Sequence, residues 1–392
     1  MKPLKVALFT GNYNHIRDGV ALTLNRLVHH LLQSSIDVKI FAPSSQHPAI
    51  VPHEGELIVT PSISMPVPGR KEYRVATHFP KKDRQTLEAF KPDLIHIATP
   101  DGLGIGALKW AKKHGVPVVS SYHTHFLSYV DYYKLFLGPV KWPFKKMMQW
   151  FYPQCERTYV PTQSMIDELA REQIHGHMKI WARGIDTDSF NPKKRDMQWR
   201  RSVGIADDEL VVSFVSRLVW EKELRTYIDS VSALQKEFPK LRAMVVGDGP
   251  AKKEAQKLLP NGIFTGFCAG EDLSRAYASS DIFLFPSFTE TFGNVTLEAM
   301  ASGLPCLVAN AIGSRSLVVD GKNGFLAHPG NVPEFTSKLQ EMVADTKLRA
   351  QMAEESRSMA MSYQWSAINQ ALIQDYYQVL DEFAQKHNLK NG

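Results

Sequence analysis

Two glutamates, Glu290 and Glu298, stand eight positions apart in the stretch FPSFTETFGNVTLEAMASGLP, with Gly293-Asn294 between them. A carboxylate repels a phosphate, but it can accept paired hydrogen bonds from neighbouring hydroxyls. The Gly-Asn pair reads as a helix start, with a stop at Ser302-Gly303 and Pro305 beyond. The N–H groups of Phe292, Gly293, Asn294 and Val295 then lack partners inside the helix and make an anion site. A ligand with a diphosphate centre and a sugar at each end has this pattern of needs.

Basic groups that could share the diphosphate follow another strand-like run. Arg217 and Lys222, in SRLVWEKEL, lie five positions apart. A guanidinium forks two oxygens and an ammonium adds a point charge. A solvated basic loop is the ordinary alternative; the place at a strand end favours the first reading. Gly247, in GDGP, permits close backbone approach at a further strand end, without naming a ligand. Gly19, after Asp18, opens a helical pattern and could present its backbone to an anion; an ordinary loop glycine explains it equally well. His123 and His125, in SYHTHF, could meet a sugar hydroxyl or a phosphate, although a satisfied structural histidine is the commoner role of either alone. Two histidines without a nearby cysteine or carboxylate cluster are too few for a metal. Asp186-Thr187-Asp188 has a D-x-D pattern but falls in a polar linking segment, where capping is the simpler role.

These residues must be held by strands and helices. Val/Ile-rich runs of strand length recur at 5–10, 37–42, 94–99, 116–122, 157–162 and 179–183, and again at 209–217, 241–249, 262–267, 281–287, 304–310 and 323–328. Between the first two, Val20, Leu24, Leu27, Val28, Leu31 and Leu32 fall at helical spacing, which makes a β-α-β unit and hence a parallel sheet. The chain of 392 residues is too long for one ordinary core. The expectation is an α/β protein of two doubly wound, Rossmann-like domains, 1–190 and 191–365, facing across a cleft. A final helix at about 366–392 packs back toward the first domain, with Ile368, Leu372, Tyr376, Leu380 and Phe383 as its buried stripe. Segment 183–205 is the link. Ligands of such folds bind beyond the carboxyl ends of strands, where every candidate above sits.

Composition narrows the setting. A net charge of +6 and a pI near 9.0 suit anionic substrates or an anionic bilayer, and are too mild for a nucleic-acid packing protein. Three scattered cysteines, Cys155, Cys268 and Cys306, suggest neither disulfides nor zinc and fit a reducing cytoplasm. No run reaches the roughly 20 apolar residues of a membrane span. The segment 132–153 mixes aromatics with Lys134, Lys141, Lys145 and Lys146 and could lie on an anionic membrane; a packed helix with a solvated lysine edge serves as well. The expected location is cytoplasmic, with peripheral contact at the inner face of the membrane.

The stretch ETFGNVTLEAMASGLP resembles the E-x7-E signature of family-4 retaining glycosyltransferases with the GT-B fold. The likeness runs along nearly the whole chain, through GVALTLNRL, PDLIHIATPDGLG, PVVSSYHTHF, RGIDTDSF, SRLVWEKEL and VVGDGP. It is most similar to bacterial members that add mannose or glucose to lipid or polysaccharide acceptors, GDP-mannose-dependent α-mannosyltransferases among them. One departure is Ser216 before Arg217, where a glycine often stands. The resemblance implies that Gly19 presents backbone to the diphosphate and that His123 contacts the donor sugar near the reacting carbon. It implies that Arg217 and Lys222 hold the diphosphate and the leaving group. Glu290 would bind hydroxyls of the transferred sugar, and Glu298 the ribose. It also implies retention of anomeric configuration, an acceptor-binding N-terminal domain, a donor-binding C-terminal domain, and no metal or other cofactor.

The leading expectation is therefore a hexosyltransferase that moves mannose from GDP-mannose to a hydroxyl of a lipid or glycan. The runners-up are a UDP-sugar-dependent glucosyl or related transferase acting on a glycolipid and, further back, a sugar-nucleotide epimerase or a phosphorylase on the same fold. The missing GxGxxG disfavours a nicotinamide oxidoreductase. The full residue set argues against a binding protein that has lost catalysis.

Overall fold

The computed structural model describes residues 3–16, 18–43, 53–64, 73–123 and 134–391, with backbone alone for 134–140 and 388–391. The chain divides into two compact units, Met1–Ala182 with Ser366–Gly392, and Arg183–Trp365.

The first unit is built on a parallel sheet. Its strands are β1 (Lys5–Phe9), β2 (Asp37–Pro43), β3 (Glu56–Thr60), β4 (Leu94–Ile97), β5 (Val118–Ser121), β6 (Arg157–Val160) and β7 (Met178–Ile180), in the order β3-β2-β1-β4-β5-β6-β7. The order reverses at β1, the switch at which doubly wound folds open a crevice beyond the strand ends. Central strands are buried on both faces, which is why they read as largely apolar runs, interrupted by the buried His96, Ser120 and Ser121. The edge strand β3 is only part-buried, with Glu56 and Val59 exposed, and its apolar run is just Leu57-Ile58-Val59.

The first helix, Gly19–Gln33, lays Leu24, Leu27, Val28 and Leu31 into the core. The last helix, Trp365–Asn391, joins that same cluster through Leu372, Ile373, Tyr376 and Val379. Its stripe is turned relative to the expected one: Leu372 and Tyr376 are buried, whereas Ile368 and Leu380 are only partly so and Phe383 lies at the rim. The cause is Asp375. This buried carboxylate receives Lys179 Nζ at 2.5 Å and the Tyr159 hydroxyl at 2.9 Å, with Arg157 Nε at 3.4 Å. Pairing a buried charge decides the helix face here as much as apolar burial does.

The second unit repeats the plan with β8 (Leu210–Val215), β9 (Leu241–Val246), β10 (Ile263–Gly266), β11 (Ile282–Phe285), β12 (Cys306–Ala309) and β13 (Gly324–Ala327), all parallel, in the order β10-β9-β8-β11-β12-β13. The boundary at Ala182–Arg183 lies before the expected 190/191, and the supposed link is part of this unit. Ile185 donates its N–H to Tyr363 O at 2.7 Å. Arg200, on the short helix Met197–Ser202, is wholly buried. Its guanidinium donates to the carbonyls of Ser279 and Glu209 and pairs with Asp281. A polar, basic segment looks like a linker until a buried arginine finds that many acceptors. Asp186 of the D-x-D pattern accepts from the N–H groups of Asp188 and Ser189 at 3.1 Å each and from Ser189 Oγ at 2.6 Å, which caps a turn.

Candidate functional site

The densest cluster of candidates lies in the second unit, at the carboxyl ends of β8, β9, β11 and β12. After β11, Pro286 ends the strand and the loop carries Ser287, Thr289 and Glu290. After β8, the chain makes a short turn at Trp220–Lys222 and passes through Glu223 at φ 57° into the helix Leu224–Gln235. These loops bring Lys222 Nζ to 2.5 Å from Glu290 Oε1 and 3.0 Å from Thr289 Oγ1. Ser287 Oγ donates to the same carboxylate oxygen at 3.3 Å. Both charged side chains are largely shielded, at 16% and 21% exposure. A ligand entering here meets a preformed ion pair and must share or replace it. Arg217 stands apart from the pair; it is half-exposed and lies 3.5 Å from Glu221.

The helix of the opening motif runs Asn294–Ala301, and Gly293 at φ 96° turns the chain into it. Its first intrahelical bond is Leu297 N–H to Gly293 O, at 3.1 Å. No side chain caps it, so the amides of Asn294 and Val295 point out of the helix without an intrahelical acceptor. Asn294 is exposed, whereas the Phe292 side chain is buried edge-on to Tyr363, leaving only its backbone for a ligand. Glu298, in the next turn, accepts from the Tyr277 hydroxyl at 2.9 Å. Burial and the nearby Glu298 hold the Tyr277 hydroxyl well above its ordinary range, so it remains a donor.

Gly247 packs one loop against another. At φ 135°, a Cβ there would lie 1.9 Å from Ser216 O. Its side faces the loop that carries Arg217, and Leu218 N–H continues that contact by donating to Asp248 O at 2.8 Å. The glycine seats one loop against another. Gly313, after β12, does the same for Glu290: a Cβ there would lie 2.6 Å from Glu290 O. Nothing in the spacing of the motif points to Tyr277, Thr289 or Gly313. Only the rule that ligands gather beyond strand ends could have singled out Gly313.

The first unit holds Gly19 and His123. Gly19 is exposed at the first position of its helix, directly after the capping Asp18. Asp18 Oδ1 already accepts the Ala21 N–H at 2.8 Å, so a carboxylate occupies part of this helix end. Burial raises the Asp18 pKa. His123, two residues past β5, is buried, with Nε2 2.7 Å from Ser121 Oγ and its ring edge-on to Trp181. His125 lies outside the described residues, as do 132–133 and the side chains of 134–140 in the basic aromatic segment. Within the rest of that segment Trp142 and Trp150 are exposed, and Lys146 Nζ lies 5.9 Å from the Trp142 ring centre. No helix of the described residues is long and apolar enough to cross a membrane.

The chain matches two family models, one described as glycosyltransferase family 4 over residues 17–189 and one as glycosyl transferases group 1 over residues 196–359. It is 33% identical over 334 residues to a sulfoquinovosyl transferase of Arabidopsis thaliana, covering 83% of this chain and 64% of that protein. It is 29% identical over 386 residues to a GDP-mannose-dependent alpha-mannosyltransferase of Corynebacterium glutamicum, covering 97% of this chain and 90% of that one. In fold it is similar to a sucrose-phosphate synthase from Thermosynechococcus elongatus, with a TM-score of 0.76 at 18% identity over 97% of this chain and all of that one.

Proposed function

The chain belongs to the family-4 glycosyltransferases of the GT-B fold, and on that premise we propose that it moves a hexose, mannose from GDP-mannose in the first instance, onto a hydroxyl of a lipid or glycan, with retention of configuration. The observation that carries this reading is the Lys222–Glu290–Thr289 cluster beside the uncapped start of the helix Asn294–Ala301. It offers cationic and amide groups to a diphosphate and a carboxylate to sugar hydroxyls.

In this reading the second unit holds the donor and the first the acceptor. Arg217, Lys222 and the amides of Gly293, Asn294 and Val295 take the charge that builds on the departing diphosphate. Glu298, steadied by Tyr277, takes the ribose, and Glu290 the hydroxyls of the moving hexose. Gly19 offers its amide to the diphosphate, and His123 acts on the hexose. No step is routed through a metal or other cofactor. The similarity to a GDP-mannose-dependent enzyme over nearly the whole length favours that donor. A UDP-sugar donor with a glycolipid acceptor is the second reading, kept open because the plant relative is a sulfoquinovosyl rather than a mannosyl transferase.

A lipid acceptor would bring the protein to a membrane. Trp142 and Trp150, exposed beside Lys141 and Lys146, are the side chains that would meet an anionic surface from the cytoplasmic side. Sedimentation with phosphatidylglycerol vesicles, lost in Trp142→Ala with Lys146→Glu, tests that part. The donor is tested by thermal shift with GDP, UDP and ADP. Stabilisation by GDP, with release of GDP from GDP-mannose in the presence of a lipid acceptor, is expected. Stabilisation by UDP alone overturns mannose. An inverted anomeric signal in the product's proton spectrum overturns retention.

A further inference from the structure

His123 belongs to a buried line of hydrogen bonds within the first unit. Its Nε2 lies 2.7 Å from Ser121 Oγ. Ser121 Oγ lies 2.8 Å from His96 Nε2. His96 Nδ1 lies 2.6 Å from the hydroxyl of Tyr376, on the final helix, 280 positions along the chain from His96. His96 and Tyr376 are wholly buried, and Ser121 is 1% exposed.

Counting protons shows which way this line runs. Burial pushes the His96 pKa down to about 3, so its ring is neutral, with one donor and one acceptor nitrogen. Ser121 and Tyr376 each carry one hydroxyl proton. Among the described residues, the hydrogen-bond partner of the Tyr376 hydroxyl is His96 Nδ1. A buried hydroxyl without an acceptor is strongly disfavoured, so Tyr376 donates. His96 then accepts at Nδ1 and donates from Nε2 to Ser121. Ser121, its oxygen already accepting, passes its own proton to His123 Nε2. In the reverse direction the Tyr376 proton would have no acceptor. If both imidazoles donated to Ser121, the serine proton would have none.

We propose that Ser121, His96 and Tyr376 are positioning residues that hold His123 as the Nδ1–H tautomer, with Nε2 locked as an acceptor inside the fold. His123 Nδ1 is then fixed as a donor. The ring cannot take up a second proton, at Nε2, without leaving Ser121 with two donors and no acceptor for its own hydroxyl. This rests on the functional reading above only in naming a sugar as the ligand of His123. The C-terminal helix thereby becomes part of the site's chemistry, since its Tyr376 sets the direction of the whole line.

The test is the ring-nitrogen spectrum of the full chain labelled with 15N-histidine, with His123 and His96 assigned from His123→Ala and His96→Gln. The wild type should show His123 with a protonated Nδ1 and a bare Nε2, and His96 with the opposite pattern. Ser121→Ala and Tyr376→Phe should each lose the fixed Nδ1–H state of His123, and Ser121→Thr, which keeps the hydroxyl, should retain it. In turnover, Tyr376→Phe should lower kcat about tenfold and leave KM for the nucleotide sugar within about twofold, because none of the groups assigned to the diphosphate or the ribose belongs to the hydrogen-bonded line. A wild-type His123 protonated on Nε2, or an unchanged tautomer in both Ser121→Ala and Tyr376→Phe, overturns the proposal. An Nδ1–H tautomer that responds to the variants in a protein that turns over no nucleotide sugar supports the line and overturns the functional reading instead.

Discussion

Lys222 and Glu290 come from loops after different strands and meet at 2.5 Å, both largely shielded from water. On the proposed assignment, the pair makes the carboxylate a rival of the diphosphate for the same ammonium. Glu290→Gln should therefore raise affinity for the free nucleoside diphosphate by about fivefold, the equivalent of about 1 kcal/mol for a partly shielded pair. The same variant should lower transfer by about a hundredfold, because the acceptor of the hexose hydroxyls is weakened. Lys222→Ala should lower both. Calorimetry with GDP and an initial-rate assay separate these outcomes, and weaker GDP binding in Glu290→Gln would refute the rivalry.

Gly313 and Gly247 should fail in different ways. Gly313→Ala puts a methyl 2.6 Å from Glu290 O and must displace that loop, so turnover should fall at least about tenfold with little loss of stability. Gly247→Ala adds a methyl at 1.9 Å from Ser216 O in a backbone conformation that L side chains rarely adopt. It should cost about 2–4 kcal/mol of stability. Urea unfolding of both variants, alongside rates, checks the distinction.

Tyr277→Phe removes the hydroxyl that Glu298 accepts and keeps the ring between Phe190 and Phe283. A hydrogen bond to a charged group contributes about 1.5–3 kcal/mol. If Glu298 takes the ribose as proposed, nucleotide affinity should drop several-fold, because one of the donors that orient the carboxylate is lost. An unchanged Kd would separate Tyr277 from the site.

His96 supplies a pH dependence of stability. Its unfolded ring titrates near 6.5 and its folded ring at about 3. Between those values the unfolded chain binds more protons, so the stability present above about pH 6.5 is lost as pH falls, by about 1.4 kcal/mol per unit. The Asp101 carboxyl, raised by burial to about 6, acts with the opposite sign between about pH 4 and 6. Urea midpoints at pH 7 and pH 5 for the wild type and His96→Gln isolate the histidine; the difference between the two proteins should narrow as pH falls.

Much of the fold is legible in the sequence because buried parallel strands write themselves as apolar runs. Strands β1, β2 and β4 to β13 coincide with the runs picked out along the chain, β2 and β7 each reaching one residue beyond. The edge strand β3, part-buried and with a run of only Leu57-Ile58-Val59, leaves a shorter trace that those runs do not include. The helix start at Gly293-Asn294 was readable because glycine and asparagine there have a backbone reason. Arg200 was unreadable for the converse reason: a fully buried guanidinium looks like any surface arginine until its acceptors are assembled.

The sequence by itself determined the two doubly wound units, the strand ends that bear functional groups, and the chemical types at those ends. Such features are local: they follow from periodicity, side-chain type and the backbone freedom of single residues. Only the tertiary structure decided who meets whom. It paired Lys222 with Glu290, set Tyr277 behind Glu298, gave Gly247 to a neighbouring loop, and joined His123 to Tyr376 through Ser121 and His96. Those relationships span tens to hundreds of residues. They arise when separate elements pack and each buried polar atom must find a partner, a condition that no short stretch of chain encodes.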